Sequence, residues 1–109
     1  MVTVKELSQS CGFEVVVLPE AQREISGVYI GDLLSWVMGR AKADDAWITI
    51  MSNINVVAVA SLADVSCVIL AEGVLLDEET QKAAESKGIN VLKTNFPIYE
   101  TAKILSELI

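Results

Sequence analysis

Histidine is absent from this 109-residue chain. That one omission removes His-based catalytic triads, the usual zinc ligands and the commonest general base. Cysteine is scarce: Cys11 and Cys67 stand alone, at no metal-ligand spacing, and both read as small buried apolar residues without a disulfide between them. Cations are few as well. Lys and Arg number 8 against 15 Asp and Glu, a formal charge of −7, which argues against nucleic acid, because phosphate binding needs clustered Lys and Arg. No apolar run is long enough for a bilayer. The nearest, Val56 to Ala71, is broken by Asp64 and falls short of the ~20 residues a span requires, so it reads as a helix followed by a buried strand. The opening residues Met1 to Glu6 lack a basic head followed by an apolar stretch, so no signal peptide and no membrane association are expected, and the cytoplasm is the expected compartment.

What is present is an apolar share of 52%, far from the low-hydrophobicity composition that keeps chains unfolded. That share is generous for a small monomer, so part of it is expected to cover a partner. Thr3, with Glu6 three residues on and Gly12 as a stop, predicts a helix over Thr3 to Cys11. Phe13 to Leu18 and Ile25 to Ile30 read as extended, with a turn at Pro19 to Gln22 between them. Gly31-Asp32 opens a helix from Leu33 to about Gly39, with Asp32 as its cap. After a polar loop at Lys42 to Asp45, a strand is expected at Ala46 to Met51, and Ser52 or Asn53 caps a helix to about Ala63. Cys67 to Ala71 reads as a strand buried on both faces. Glu72-Gly73 ends it. Asp77 to Ser86 reads as an amphipathic helix stopped by Gly88, Ile89 to Leu92 as a strand, and Pro97 to Leu108 as a closing helix with Pro at its start. Alternation of this kind specifies an α/β class: a layered fold with a mostly parallel sheet flanked by helices, in one domain over residues 1–109 without linkers or repeats.

Ligands of open α/β sheets collect outside the carboxyl ends of the strands. Those ends are Gly31-Asp32, Ser52-Asn53 with Asn55, Glu72-Gly73, and Thr94-Asn95, and they are the candidate ligand-binding residues. The Ser/Asn loop is the most suggestive, since a helix N-terminus offers backbone N–H groups to an anion, although helix capping alone accounts for it. Gly27 and Gly31 lack the spacing of a nucleotide-binding glycine loop and read as a close backbone approach. The acidic groups Asp44-Asp45 and Asp77-Glu78-Glu79 read as solvated, so no metal and no cofactor are expected. No nucleophile–base pair can be identified either, and an acid–base role for Asp32 or Glu72 is the weakest reading. Trp36 and Trp47 fit core packing or a partner surface; Trp36 with Met38 is the candidate dimer surface, and Tyr99 is expected half-buried.

Taken together, Ile25 to Ser35 (ISGVYIGDLLS), Trp47 to Ile50 with Asn53 to Ala60, and Val68 to Gly73 followed by Ala83, Gly88-Ile89, Val91-Leu92 and Thr94 resemble the DRTGG domain family, over about Val4 to Leu105. The literal Asp-Arg-Thr-Gly-Gly string is absent. The pattern is also similar to the N-terminal domain of HPr kinase/phosphorylase. The resemblance implies the fold of those domains and a non-catalytic, regulatory role, with a dimer contact and a position near adenine-nucleotide regulatory sites. Kinase activity does not carry over, because the phosphate-binding glycine loop is missing. The expectation is thus a regulatory module, not an enzyme, that forms a homodimer and binds a small ligand, a nucleotide among the possibilities, or a partner protein. A purely structural dimerisation or scaffold subunit without a ligand is the alternative.

Overall fold

The computed structural model describes all 109 residues, Met1–Ile109. Five strands and five helices follow one another along the chain, alternating except where β2 succeeds β1: α1 (Val4–Cys11), β1 (Glu14–Val17), β2 (Gly27–Ile30), α2 (Leu34–Arg40), β3 (Asp45–Thr49), α3 (Asn55–Ala63), β4 (Cys67–Leu70), α4 (Glu78–Lys87), β5 (Val91–Lys93) and α5 (Ile98–Ser106). They build one sheet in the order β1-β5-β4-β3-β2. Strands β2 to β5 are mutually parallel, and β1 runs antiparallel beside β5.

Side-chain alternation along the central strands divides the molecule into three layers. Trp47 and Val68 with Leu70 point to one face, where Val37 of α2, Val56 and Val57 of α3, and Ala84 of α4 cover them. Ala46 and Ile48, with Cys67 and Ile69, point to the other, beneath Val4 and Leu7 of α1 and Leu105 of α5. Three helices therefore cover one face and two the other. That shortfall leaves the β2 end of the second face uncovered.

Local signals set the helix ends as expected. Thr3 and Glu6 form a capping box, Asp77 Oδ1 accepts the Thr80 N–H at 2.7 Å, and Gly12 and Gly88 stop α1 and α4 in the left-handed conformation. The cap bonds hold the Glu6 and Asp77 carboxyls below their ordinary range, chiefly through the Thr3 backbone for Glu6 and the Thr80 side chain for Asp77. Their small contribution to stability is therefore complete above the range of an unfolded carboxyl and is lost as pH falls through the lowered values.

Several local expectations give way to tertiary contacts. Asp32 does not cap α2, whose first turn has no side-chain cap. Neither Ser52 nor Asn53 caps α3 from the cap position; Ile54 stands there, and Asn53 Oδ1 accepts the Asn55 N–H at 2.9 Å in the turn just before it. Asp45 is not a solvated loop residue but the buried first residue of β3, where its Oδ2 accepts the Lys42 N–H at 2.8 Å. Gly27 lies in strand β2, and a Cβ there would stand 2.7 Å from Asp45 Oδ1, which explains the missing side chain. Tyr99 is exposed, not half-buried, because α5 turns its first-turn outer face to solvent. At the amino edge of the sheet, Arg23 Nη2 donates to Asp44 Oδ1 at 3.0 Å and to Asp64 Oδ1 at 2.8 Å. One guanidinium thus fastens two turns whose aspartates sit at φ 69° and 59°.

The two thiols differ. Cys67 is wholly buried in β4, and burial pushes its pKa up to about 12; Cys11, only partly buried, is raised less, also by burial. The thiolate is the reacting species. Native protein at pH 8 is therefore expected to react slowly with a thiol reagent at one site, Cys11, and at both sites once denatured. Two fast native thiols would contradict this burial.

Candidate functional site: the carboxyl edge of the sheet

All four predicted strand ends lie along one edge, but the structure sorts them into separate groups. At the β2/β3 end, Asp32 Oδ1 accepts from Thr49 Oγ1 at 2.8 Å and from the Ile50 N–H at 3.0 Å. Its carboxylate, expected at a helix cap or a ligand, ties the exit of β2 to the exit of β3. Gly31 belongs to the same group: its carbonyl accepts the Trp47 indole N–H at 2.9 Å. Ser52, Asn53 and Asn55 form the turn into α3, with Asn53 and Asn55 exposed. No hydrogen bond joins this turn to the β4 or β5 ends.

At the β4/β5 end, Glu72 and Gly73 are both left-handed, at φ 63° and 75°, and they zip onto the β5–α5 loop. Glu72 N–H donates to the Phe96 carbonyl at 2.9 Å and Gly73 N–H to the Thr94 carbonyl at 3.0 Å. The Ile98 N–H at the start of α5 reaches Glu72 Oε2 at 3.4 Å. The Thr94 hydroxyl accepts the Phe96 N–H at 3.2 Å. Beside this loop lies a cleft of about 500 Å³ lined by Gly12, Glu14, Lys93, Thr94, Asn95 and Phe96. Across it Lys93 Nζ pairs with Glu14 Oε2 at 2.9 Å. Of the predicted strand-end residues, Thr94 and Asn95 line the cleft and Gly73 borders it, with Asn95 Oδ1 3.2 Å from where a Gly73 Cβ would stand. Sequence reasoning missed Gly12, Glu14, Lys93 and Phe96. They meet only because β1 returns antiparallel beside β5 and sets Glu14 opposite Lys93, a long-range pairing that no periodicity signals.

A second feature lies at the opposite end of the sheet. Strand β2 is an edge, bonded to β3 alone. Val28 and Ile30 are exposed on it, on the face that α1 and α5 leave uncovered, and Leu33, Trp36 and Met38 at α2 and Ile50 after β3 are exposed as well. Trp36 is 53% and Met38 46% exposed, and the Arg40 guanidinium stacks 3.8 Å from the centre of the Trp36 ring. Trp47, by contrast, is core. The sequence singled out Trp36 and Met38 but not Val28 or Ile30, whose exposure follows from the missing helix over this corner. No group of three metal-ligating side chains converges anywhere in the chain, and no helix is long and apolar enough to cross a membrane.

The architecture is that of a small three-layer α/β domain with an open parallel edge and a polar cleft where β1 closes against β5. The family model of the DRTGG domain matches residues 6–108, and the chain belongs to that family. Among solved structures it is similar to the CBS and DRTGG domains of the regulatory region of Clostridium perfringens pyrophosphatase, complexed with the activator diadenosine tetraphosphate. The TM-score is 0.74 at 14% identity, covering 94% of this chain and 45% of that one. At that identity the likeness speaks for the fold, and this chain spans less than half of the relative. No curated protein matches the sequence.

Proposed function

We propose that this domain is a non-catalytic regulatory module that self-associates through the β2/α2 corner and takes a small ligand, foremost a nucleotide, at the carboxyl edge of its sheet. The observation that carries the reading is the open β2 edge with exposed apolar side chains around it. Unpaired strand edges and contiguous apolar surface are features that proteins otherwise cover or blunt. A second copy suits this corner better than a peptide strand, because the apolar residues come from both β2 and α2, and a two-fold partner brings both elements to cover them. A standard interface of roughly 800 Å² per partner would take about one seventh of the 5627 Å² surface.

The ligand half draws on the regulatory region of the similar pyrophosphatase, which holds a nucleotide activator. It also draws on the polar strand ends Gly31-Asp32, Ser52-Asn53 with Asn55, Glu72-Gly73 and Thr94. The internal bonds made by Asp32, Asn53 and Glu72 favour the second reading, a scaffold subunit without ligand. The absence of a nucleophile–base pair among the candidate residues supports a non-catalytic role. The unpaired Cys11 and Cys67 suit a reducing compartment, and we place the module in the cytoplasm.

Sedimentation at tens of micromolar tests the association. A dimer is expected, strengthened by added salt because each copy carries −7. Trp36→Glu is expected to weaken it by about 2 kcal/mol or more, the range of an interface hot spot, with little effect on folding since Trp36 is half-exposed. A strict monomer in the parent protein would overturn the self-association. Thermal shift against nucleotides and sugar phosphates separates the ligand-binding module from the bare scaffold: a ligand at a hundredfold excess over its Kd is expected to add about 2.7 kcal/mol.

A further inference from the structure

The backbone of β2 narrows how two copies of this chain meet, a step that rests on the self-association proposed above. Gly31 N–H donates to the Ile48 carbonyl at 3.2 Å, and β2 pairs in register with β3 from Gly27 to Ile30. Successive residues of a strand turn their backbone groups to alternate sides. Gly27, Tyr29 and Gly31 therefore bond towards β3. The N–H and C=O of Val28 and Ile30 face outward, where no other strand lies.

The two edges of the sheet are built differently. Edge strands are ordinarily blunted by charge, proline or a bulge. Strand β1 has all three: Glu14 begins it, its register slips between Val15 and Val17, and Pro19 stands just beyond its end. Strand β2 has none, being Gly-Val-Tyr-Ile in unbroken register. A contact of β2 with β1 of another copy would meet that bulge and would repeat without closing, whereas β2 against its own copy closes as a two-fold pair.

We infer that β2 pairs antiparallel with β2 of a second copy about a two-fold axis at Tyr29, joining the two five-stranded sheets into one. The outward groups dictate the register. Val28 of each copy stands opposite Ile30 of the other and exchanges both backbone hydrogen bonds with it. Opposed residues of an antiparallel pair share a face. Val28 and Ile30 of both copies thus gather on the side that α1 and α5 leave uncovered, where they are 37% and 48% exposed in the single chain. Tyr29 meets its copy on the other side. Its ring lies over Gly31 of its own strand, where a Cβ would stand 2.9 Å from Tyr29 Cε2, so it runs along the strand instead of across the seam. On that side the two α2 helices flank the seam. The exposed positions Leu33, Trp36 and Arg40 recur at i, i+3 and i+7, one stripe of α2. A peptide strand would satisfy the β2 edge and leave this stripe bare.

Amide hydrogen exchange of the full chain, at dilute and associated concentrations set by sedimentation, reads the pairing directly. The Val28 and Ile30 amides are expected to exchange about tenfold more slowly or better in the associated protein, while the Tyr29 amide, already bonded to β3, is unchanged. Ile30→Pro removes an outward N–H and no bond to β3, a place where an edge strand tolerates proline. It is expected to fold and to associate about tenfold more weakly, whereas Ile30→Val, which keeps the N–H, stays within about threefold of the parent. An associated protein whose Val28 and Ile30 amides exchange as fast as in the monomer overturns the strand pairing and leaves self-association through α2 standing. An Ile30→Pro dimer as tight as the parent does the same. A parent that stays monomeric at every concentration overturns both. Should Ile30→Pro not fold, the exchange of the parent decides by itself.

Discussion

Trp47→Ala is expected to destabilise the domain by about 3–5 kcal/mol, the cost of emptying a buried aromatic site. Trp47 is wholly buried at the middle of β3, among Val37, Val56 and Val68. It is also the largest fully buried side chain, so the space it leaves is the hardest for its neighbours to fill. Its indole N–H has a second role, donating to the Gly31 carbonyl at 2.9 Å and so pinning the exit of β2. Removing it strands that acceptor, a loss of about 1–3 kcal/mol where water cannot replace it. Trp47→Phe separates the two effects, since it keeps most of the packing and drops only the donor. Urea unfolding at fixed protein concentration reads both variants, and a domain of this size has only ~5–15 kcal/mol in total. Trp47→Ala should therefore shift the midpoint by roughly a fifth or more of its value. An effect under 1 kcal/mol would contradict the central packing assigned to this residue.

Asn90→Leu is the second large expected loss, about 2–3 kcal/mol, although the replacement is close in volume. Asn90 lies just before β5, 1% exposed. Its Nδ2 donates to the Glu20 carbonyl at 2.8 Å and to the Ser66 carbonyl at 2.9 Å, and its Oδ1 accepts the Glu20 N–H at 2.9 Å. One amide thereby clamps the turn after β1 to the approach to β4. Leucine fills the space but leaves the Glu20 N–H and the Ser66 carbonyl without partners, while the Glu20 carbonyl keeps only the Arg23 N–H at 3.2 Å, and buried polar groups without partners carry the cost. Asn90→Asp adds a pH signature. The new carboxylate would face two carbonyl oxygens, so its folded-state pKa would rise above the unfolded value. The destabilisation is then largest above that raised pKa and relieved as the pH falls and the carboxyl protonates. Equal destabilisation at pH 4 and pH 7 would contradict the bonding pattern.

The legibility of the fold depended on how far each cause reached along the chain. Capping at Thr3 and Asp77 and the stops at Gly12 and Gly88 act within a few residues, and each appears where the sequence puts it. The same local reasoning misplaced Asp32 and Asp45. A short carboxylate beside a strand end bonds the nearest free donors, and parallel pairing of β2 with β3 made those donors Thr49 and Ile50, not the first turn of α2. The candidate site was legible only in part. Thr94 and Gly73 follow from the rule that strand ends carry ligands, but the other wall of the cleft arrives with β1, whose place beside β5 depends on an antiparallel contact between distant segments.

By itself the sequence determined the chemistry that is out of reach and the class of fold. A chain without histidine has no imidazole to act as base or ligand, and apolar runs alternating with amphipathic helices bury themselves only as layers. The tertiary structure alone decided which apolar residues stay outside. Trp36 and Trp47 look alike as sequence, yet one is core and the other half-exposed, because Trp47 points from the central strand into the layer that α2 and α3 cover, while α2 buries Val37 and leaves Trp36 on its flank. The 52% apolar content is thus divided between a core that holds the sheet and a corner at β2 and α2 that the chain does not cover with its own residues.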